Sequence, residues 1–424
     1  MKVNAIDKSY PEYESNLLTS VAWKLFWTGF VIYTISYAFP GVDMPIKYLQ
    51  AGQIIGIILF LPSGFYLIHW SFENTYLKVL FLVYGLWSFL TIFRGFIFTY
   101  DFLKSVFFYA AFSIFIYLAP FILLFKDILV NIKKLFSVII ILNLFFLFYI
   151  ILYRDLIIRG ISNFYRLPTE VTERLTHFLS LSTAFILLTY VYQKKKGIFF
   201  SLFTLGVTFL IVTMRARRGL MFMTLCFMVC SYLMFFFTNR GKILKILLSI
   251  GILFVVLAYS YLTYSRNQSG IFGLITDRVN ENTRQGVEDY FFASMSTKDL
   301  IFGRGINGLY YCPGIDEMEG TTTVLRSVIE TGYLQIVLKG GFISLLLYLL
   351  ITIPAIFLGL FYSKNVLAKA SAVWIFLYTI FLYPTYVNIF SLTYLIIWIS
   401  VSICYSKSIR SKTNEDVKAI FQKS

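Results

Sequence analysis

Charged residues are scarce in this sequence. Only 14% of its 424 residues are charged, whereas a soluble domain carries about 25%. This shortage excludes an ordinary soluble globular protein. Hydrophobic residues make up 58% of the chain and aromatic residues 20%. Such a composition suits helices that face lipid, with aromatic rings at the membrane surfaces.

Cysteine and histidine are also rare, with four and two copies. The cysteines lack the spacing of a disulfide framework or a zinc site, so we expect neither a metal nor another cofactor. The first 20 residues are polar and mixed in charge, which does not predict a cleavable signal peptide. The first apolar helix is therefore expected to act as an uncleaved membrane anchor.

Long apolar runs are abundant. They are continuous and do not alternate, so they predict membrane helices and not the strands of a barrel. We therefore predict an all-α, polytopic integral membrane protein that forms a single transmembrane domain over residues 1–424, with about twelve transmembrane helices. The predicted spans are 21–39, 50–69, 76–93, 104–125, 135–153, 176–193, 198–214, 219–238, 246–264, 333–361 (with a break at Gly340-Gly341), 367–383 and 386–404.

The connections between the spans predict an orientation. With twelve spans, the lysine-rich connections all lie on one side, together with both termini. Positive residues mark the cytoplasmic side of a membrane protein, so both termini are expected in the cytoplasm. A smaller loop, 154–175, and a large loop with short helices, 265–328, then lie on the outer side. The lysine-rich connections contain residues 126–134, 194–196, 240–245 and 364–369.

Arginine and lysine separate between the two sides. On this topology 13 of 15 arginines face outward and 18 of 22 lysines face inward. Topology alone does not explain the split, because either residue satisfies the positive-inside rule. A guanidinium binds phosphate through a rigid fork, whereas an ammonium is a point charge on a flexible stem. The split favours a polyanion on the outer side, and the alternative is contact with lipid headgroups or loop carboxylates.

Arg215, Arg217 and Arg218 form the most concentrated group of charges. They lie between the seventh and eighth spans, where the connection is so short that the side chains must lie near the membrane surface. Charges at that depth are costly and usually face a protein cavity. We therefore predict that these arginines bind a pyrophosphate. Snorkelling of the side chains to the interface is the alternative.

The large loop contributes further candidates. Arg278 and Arg284 precede or open an amphipathic helix predicted over 285–295, so an anion near Arg284 would also meet free amides at the start of that helix. Gly303, Arg304 and Gly305 follow. The glycine spacing predicts a tight backbone turn, and Arg304 is a further candidate phosphate ligand.

Glu330 lies where the large loop re-enters the membrane. Its carboxylate is a candidate general base toward a sugar hydroxyl, or else a structural ion-pair partner of an outer arginine. His177, at the start of the sixth span, could line the same cavity or lie at the interface for other reasons. The other candidate cavity residues are Arg166, Arg174 and Tyr333.

In this order, the motifs resemble those of the O-antigen polymerase and ligase superfamily, which comprises Wzy-type polymerases and lipid A core ligases. The resemblance covers residues 154–345. It implies a metal-independent, inverting glycosyl transfer at the outer face of the bacterial inner membrane, with a glycan on undecaprenyl pyrophosphate as donor. The corresponding residues are Arg215, Arg217 and Arg218 for the mid-chain arginines, Arg284 for the loop arginine, and Gly303 and Gly305 for the glycine turn.

One position departs from the family pattern. Where the ligases commonly have a His-Asn pair, this chain has Glu330-Thr331. The departure argues against a ligase and favours a polymerase of surface polysaccharide, either O-antigen of lipopolysaccharide or capsule. The acceptor would then be a second lipid-linked unit, and a chain-length regulator is an expected protein partner. An O-antigen ligase and a flippase for lipid-linked oligosaccharides are the alternatives, and no nucleic acid is expected.

The predicted orientation is testable by cysteine labelling. In a chain whose four native cysteines are replaced by serine, Lys298→Cys is expected to react with a membrane-impermeant maleimide in intact cells. Lys195→Cys is expected to react only after the membrane is opened. Labelling of the two positions in the opposite order would overturn the topology.

Overall fold

The computed structural model describes residues 17–39, 45–109, 113–159, 166–215, 217–238, 283–313, 324–385 and 388–423. Within them, seven helices are long and apolar enough to cross a membrane. This confirms an all-α, multi-pass membrane protein. The seven are α1 (Leu17–Ala38), α2 (Ile46–Leu67), α3 (Thr75–Gly95), α6 (Ile128–Leu152), α10 (Lys195–Met214), α11 (Arg218–Thr238) and α14 (Gly332–Phe361).

Four other predicted spans differ from a single long helix. Spans 104–125 and 176–193 are interrupted, and spans 367–383 and 386–404 correspond to shorter helices. Residues 104–125 are divided between two α-helices and a 3-10 helix that has Pro120 in its first turn, since proline cannot donate a backbone hydrogen bond. Residues 176–193 pass from a π-helix through α9 to a 3-10 turn. The predicted span 246–264 lies outside the described residues. The helices of these regions are α4 (Tyr100–Phe108), α5 (Phe115–Leu118), the 3-10 helix Ala119–Leu124, the π-helix Thr176–Ser180, α9 (Thr183–Leu188), the 3-10 helix Tyr190–Tyr192, α15 (Val366–Phe381) and α16 (Leu392–Tyr405).

Three of the lysine-rich connections, 126–134, 194–196 and 364–369, lie at the same end of the bundle, here called the lysine face. The fourth, 240–245, lies outside the described residues. The indole of Trp23 donates a hydrogen bond to the carbonyl of Lys126 (3.1 Å). The amide of Lys364 donates to the carbonyl of Arg410 (2.9 Å), and Tyr192 donates to Asn414 (2.7 Å). The start of α1 and the C-terminal helices therefore share this face. Those helices are α17 (Lys407–Arg410) and α18 (Asn414–Lys423).

The opposite ends of the helices carry short helices and the described part of the large loop. This end of the bundle, to which Arg94, Arg174 and Arg217 belong, is here called the arginine face. Its short elements are α7 (Arg154–Arg159), α8 (Arg166–Leu175), α12 (Thr283–Ser294), α13 (Thr297–Phe302), and the antiparallel strands β1 (Tyr310–Tyr311) and β2 (Leu325–Arg326).

Helix α14 is broken at Gly341, which has a φ of 71°, as the Gly-Gly pair predicted. The break deprives two carbonyls in the preceding turn of their helical donors. The large loop supplies replacements, since the amides of Arg304 and Gly305 donate to the carbonyls of Leu338 (2.9 Å) and Lys339 (2.8 Å). An unsatisfied carbonyl inside a membrane protein costs several kcal/mol, so these two bonds hold the loop firmly on the break.

The glycine turn of the loop is tight, as predicted. Gly303 and Gly305 have φ values of 74° and 81°, a region that residues with a side chain rarely adopt. The turn also packs against the end of α3, where the amide of Ile306 donates to the carbonyl of Thr91 (3.0 Å). Arg94 completes this contact, because its guanidinium donates to the carbonyl of Phe302 (2.6 Å).

A separate hydrophobic core fixes the rest of the loop on α14. It joins α12 to the first turns of α14. Helix α12 begins at Thr283, so Arg284 lies in its first turn, as the sequence predicted. The buried members of this core are Val287, Phe291, Met295, Tyr310, Cys312, Ile329, Leu334, Val337 and Leu338.

Replacing Gly303 by alanine is expected to destabilise the protein strongly. The new Cβ would overlap the backbone of Lys339 and Gly341, and the φ of Gly303 is unfavourable for alanine. Gly286→Ala is the matched control, because nothing lies within 4 Å of its Cβ position in α12 and alanine favours the helix by about 1 kcal/mol. Thermal unfolding of the purified proteins measures the difference, and equal midpoints would contradict the docking of the loop.

Candidate functional site

The three mid-chain arginines point in different directions. Arg215 ends α10 and is 8% exposed. Its guanidinium donates to the carbonyl of Leu156 in α7 (3.1 Å), so it ties the smaller loop to the bundle. Arg218 is the exposed first residue of α11. Arg217 lies between them and is the arginine that meets acidic groups.

Arg217 forms an ion pair with Glu173. The guanidinium Nε lies 3.0 Å from the carboxylate Oε1, and the two side chains are 33% and 38% exposed. Glu173 belongs to α8 in the smaller loop, and the sequence analysis did not select it. The spacing of Glu173 and His177 was an available signal, since residues four apart lie on the same face of a helix.

Further titratable groups surround this ion pair. Burial raises the pKa of Glu173, Arg217 opposes the rise, and the carboxylates of Glu330 and Glu170 add to it. Arg217 is also within electrostatic range of the His177 imidazole. These five residues are here called the acid–base cluster. It brings together residues from α8, the π-helix that follows it, the turn between α10 and α11, and the segment before α14.

Close backbone packing holds the elements of the cluster together. A Cβ on Gly219, near the start of α11, would lie 3.3 Å from the carbonyl of Pro384. A Cβ on Gly332, at the start of α14, would lie 2.8 Å from the carbonyl of Thr385. Both helices therefore begin against the segment that follows α15. Tyr333 strengthens this contact, because its ring stacks on that of Tyr383 at 6.4 Å.

The segment between the loop and α14 is anchored from both sides. Thr331 donates a hydrogen bond to the carboxylate of Glu288 in α12. The side chain of Gln335 accepts from the amide of Ile329 (2.8 Å) and donates to the carbonyl of Ser327 (3.2 Å). The backbone around Glu330 is thus held by the loop on one side and by α14 on the other.

Two predicted arginines have contacts of their own. Arg304 forms an ion pair with Asp299 (2.9 Å) and donates to the carbonyls of Leu309 (2.6 Å) and Ser294. These bonds give it a role in shaping the loop. The guanidinium of Arg174 lies 5.9 Å from the centre of the Tyr37 ring, a cation–π distance.

The side chains of the remaining predicted arginines lie outside the described part of the structure. Arg166 begins α8 and Arg284 lies in the first turn of α12, but their side chains are outside the described part of the structure. Arg278 lies outside the described residues altogether. Of the predicted site residues, Arg217, Glu330 and His177 are therefore the ones connected by electrostatic interactions, through Glu173 or directly.

The cluster combines a permanent cation with several carboxylates at the ends of apolar helices. A guanidinium in this position can hold the oxygens of a phosphate, and a half-buried carboxylate can accept a proton from a hydroxyl group.

Removing the positive charge of Arg217 is expected to raise the pKa of Glu173 further, because the guanidinium favours the ionised carboxylate. Infrared difference spectra recorded against pH measure this pKa through the band of the protonated carboxyl group, which is assigned to Glu173 by its loss in Glu173→Gln. In Arg217→Gln, this band is expected to disappear at a higher pH than in the wild type. Arg218→Gln is the control and is expected to leave the midpoint unchanged. The same midpoint in the wild type and Arg217→Gln would show that the two groups do not interact.

Comparison of the chain with protein-family models, with curated proteins and with solved structures gave no match.

Proposed function

We propose that this protein polymerises lipid-linked oligosaccharide repeat units into a surface polysaccharide, an O-antigen or a capsule. The donor is a glycan on undecaprenyl pyrophosphate, and transfer takes place at the outer face of the bacterial inner membrane. The observation that carries the proposal is the ion pair of Arg217 and Glu173 at the arginine face, with Glu330 near enough to raise the pKa of Glu173. The resemblance of the sequence motifs to Wzy-type polymerases supports the same reaction.

The reaction needs little from the protein beyond charge and position. The acceptor hydroxyl attacks the anomeric carbon of the donor sugar, the bond from that carbon to the pyrophosphate oxygen breaks, and the electron pair leaves with the pyrophosphate. Negative charge therefore grows on the leaving group. A preorganised guanidinium such as that of Arg217 stabilises this charge in the transition state.

The proton of the acceptor hydroxyl needs a base. Glu330 is our choice, because its backbone is held firmly between the loop and α14 and because it lies within electrostatic range of Glu173. Glu173 is paired with Arg217 (3.0 Å), so its role is to orient the guanidinium.

The location suits a substrate with a long polyprenyl chain. The cluster lies at the ends of α10, α11 and α14, each of which is long and apolar enough to cross a membrane. The lipid tail can remain in the bilayer while the pyrophosphate reaches Arg217. If the lysine face is cytoplasmic, as the positive-inside rule predicts, both termini lie in the cytoplasm and the cluster opens outward.

The proposal predicts shorter polysaccharide chains in cells in which a single variant replaces the native protein. Arg217→Gln, Glu173→Gln and Glu330→Gln are expected to leave single repeat units or very short chains, because loss of one transition-state contact typically costs about 10²–10³ in rate. Lys298→Met is the control, since Lys298 is exposed on α13, a helix that contributes no residue to the cluster. Gel electrophoresis of the extracted polysaccharide shows the length distribution.

The form of the defect distinguishes the alternatives. Loss of a polymerase leaves exported single units, loss of a flippase leaves units inside the cell, and loss of a ligase leaves long polymer that is not attached. Normal chain lengths in all three variants, with the proteins present in the membrane, would overturn the proposed site.

A further inference from the structure

A second charged site lies inside the bundle. Lys339 is 7% exposed and lies in α14, two residues before the break at Gly341. Its ammonium donates a hydrogen bond to the carbonyl of Gly308 in the large loop (2.9 Å). An ionisable side chain inside a membrane helix is costly, and it usually marks an ion or substrate site.

A cavity of about 60 Å³ adjoins Lys339. About 10–15 Å³ of cavity volume is enough to hold one water molecule, so the space admits a small ion together with water. Its lining combines hydroxyl, amide and ammonium groups with a few apolar side chains. The lining includes Ser88, Lys339, Ser344, Tyr348 and Asn388.

The donors around this cavity match a small anion. Lys339 supplies an ammonium with three N–H groups. Ser88 and Tyr348 supply hydroxyl groups, which rotate to donate. The second half of α14 begins at the break, beside Ser344, and the start of a helix carries free amides and a partial positive charge. In membrane transporters, broken helices often form ion sites in this way.

An independent observation shows that the cavity is polar enough to be occupied. The side-chain oxygen of Asn388 is buried and has no hydrogen-bond partner among the described residues. Asn388 lines the cavity and is 7% exposed. A buried acceptor without a donor is unfavourable, and a water molecule that accompanies an ion would satisfy it.

We propose that this cavity binds one small monovalent anion, of the size of chloride, in contact with Lys339. Bound there, the anion lowers the cost of a positive charge in the bundle interior. Lys339 also holds the loop, through its ammonium to Gly308 and its carbonyl to Gly305 (2.8 Å). Anion binding therefore stabilises the docked loop. This site is separate from the acid–base cluster and from the proposed polymerisation.

Thermal unfolding of the purified full-length protein tests the proposal, with the six tryptophans as the fluorescent probe. Sodium chloride is compared with sodium gluconate at constant ionic strength. For the wild type, chloride is expected to raise the midpoint in a saturable manner, since a ligand that binds only the folded state stabilises it by mass action. Lys339→Met is expected to lose this response, whereas Lys298→Met, on an exposed position, retains it.

A milder variant covers the case in which Lys339→Met does not fold. Tyr348→Phe removes a single hydroxyl group and is expected to raise the half-saturating chloride concentration about tenfold. In crystals grown with bromide, an anomalous peak is expected in the cavity beside the ammonium of Lys339. Equal wild-type midpoints in chloride and gluconate, an unchanged response in both variants, or bromide peaks only elsewhere would overturn the proposal. The polysaccharide pattern in cells is a separate readout of the acid–base cluster.

Discussion

The arrangement of this protein depends on the hydrogen bonds at one break in a membrane helix. Where α14 is interrupted at Gly341, two carbonyls require donors, and the amides of Arg304 and Gly305 in the large loop supply them. Water is scarce inside a membrane protein, so such backbone groups must find protein partners. The break therefore determines where the loop lies. The same contact places the loop beside the start of α14, where Glu330 and Thr331 lie.

The acid–base cluster follows from this framework. Arg217 comes from a turn between two long helices, Glu173 from the smaller loop and Glu330 from the end of the large loop. The backbones around Arg217 and Glu330 are held by packing and hydrogen bonds of their own, and Glu173 orients the guanidinium of Arg217 through their ion pair. The charged groups are therefore positioned before a ligand arrives. Preorganisation of this kind is what electrostatic stabilisation of a leaving group requires. A cation and carboxylates at the ends of apolar helices support our proposal that the substrate is a lipid-linked phosphosugar.

Local features were predictable because they depend on neighbouring residues. The break in α14 and the tight turn at Gly303 were expected from the glycines in the sequence, since both need backbone angles or space that a side chain excludes. The position of Arg284 in the first turn of α12 also followed from local pattern. The interruption of span 104–125 was missed, although Pro120 was visible in the sequence, because hydropathy measures how apolar a stretch is and not where its hydrogen bonding changes.

The sequence by itself determined that this is a helical membrane protein with arginines and lysines separated between its predicted sides, because hydropathy and helix length respond directly to the bilayer. Only the tertiary structure decided which charged side chains meet. Arg215, Arg217 and Arg304 are chemically equivalent in the sequence. In the fold, Arg215 bonds to a carbonyl of α7, Arg304 to its own loop, and Arg217 to Glu173. The partner of each arginine is decided by packing between segments that are distant in the sequence, and no local pattern predicts that packing.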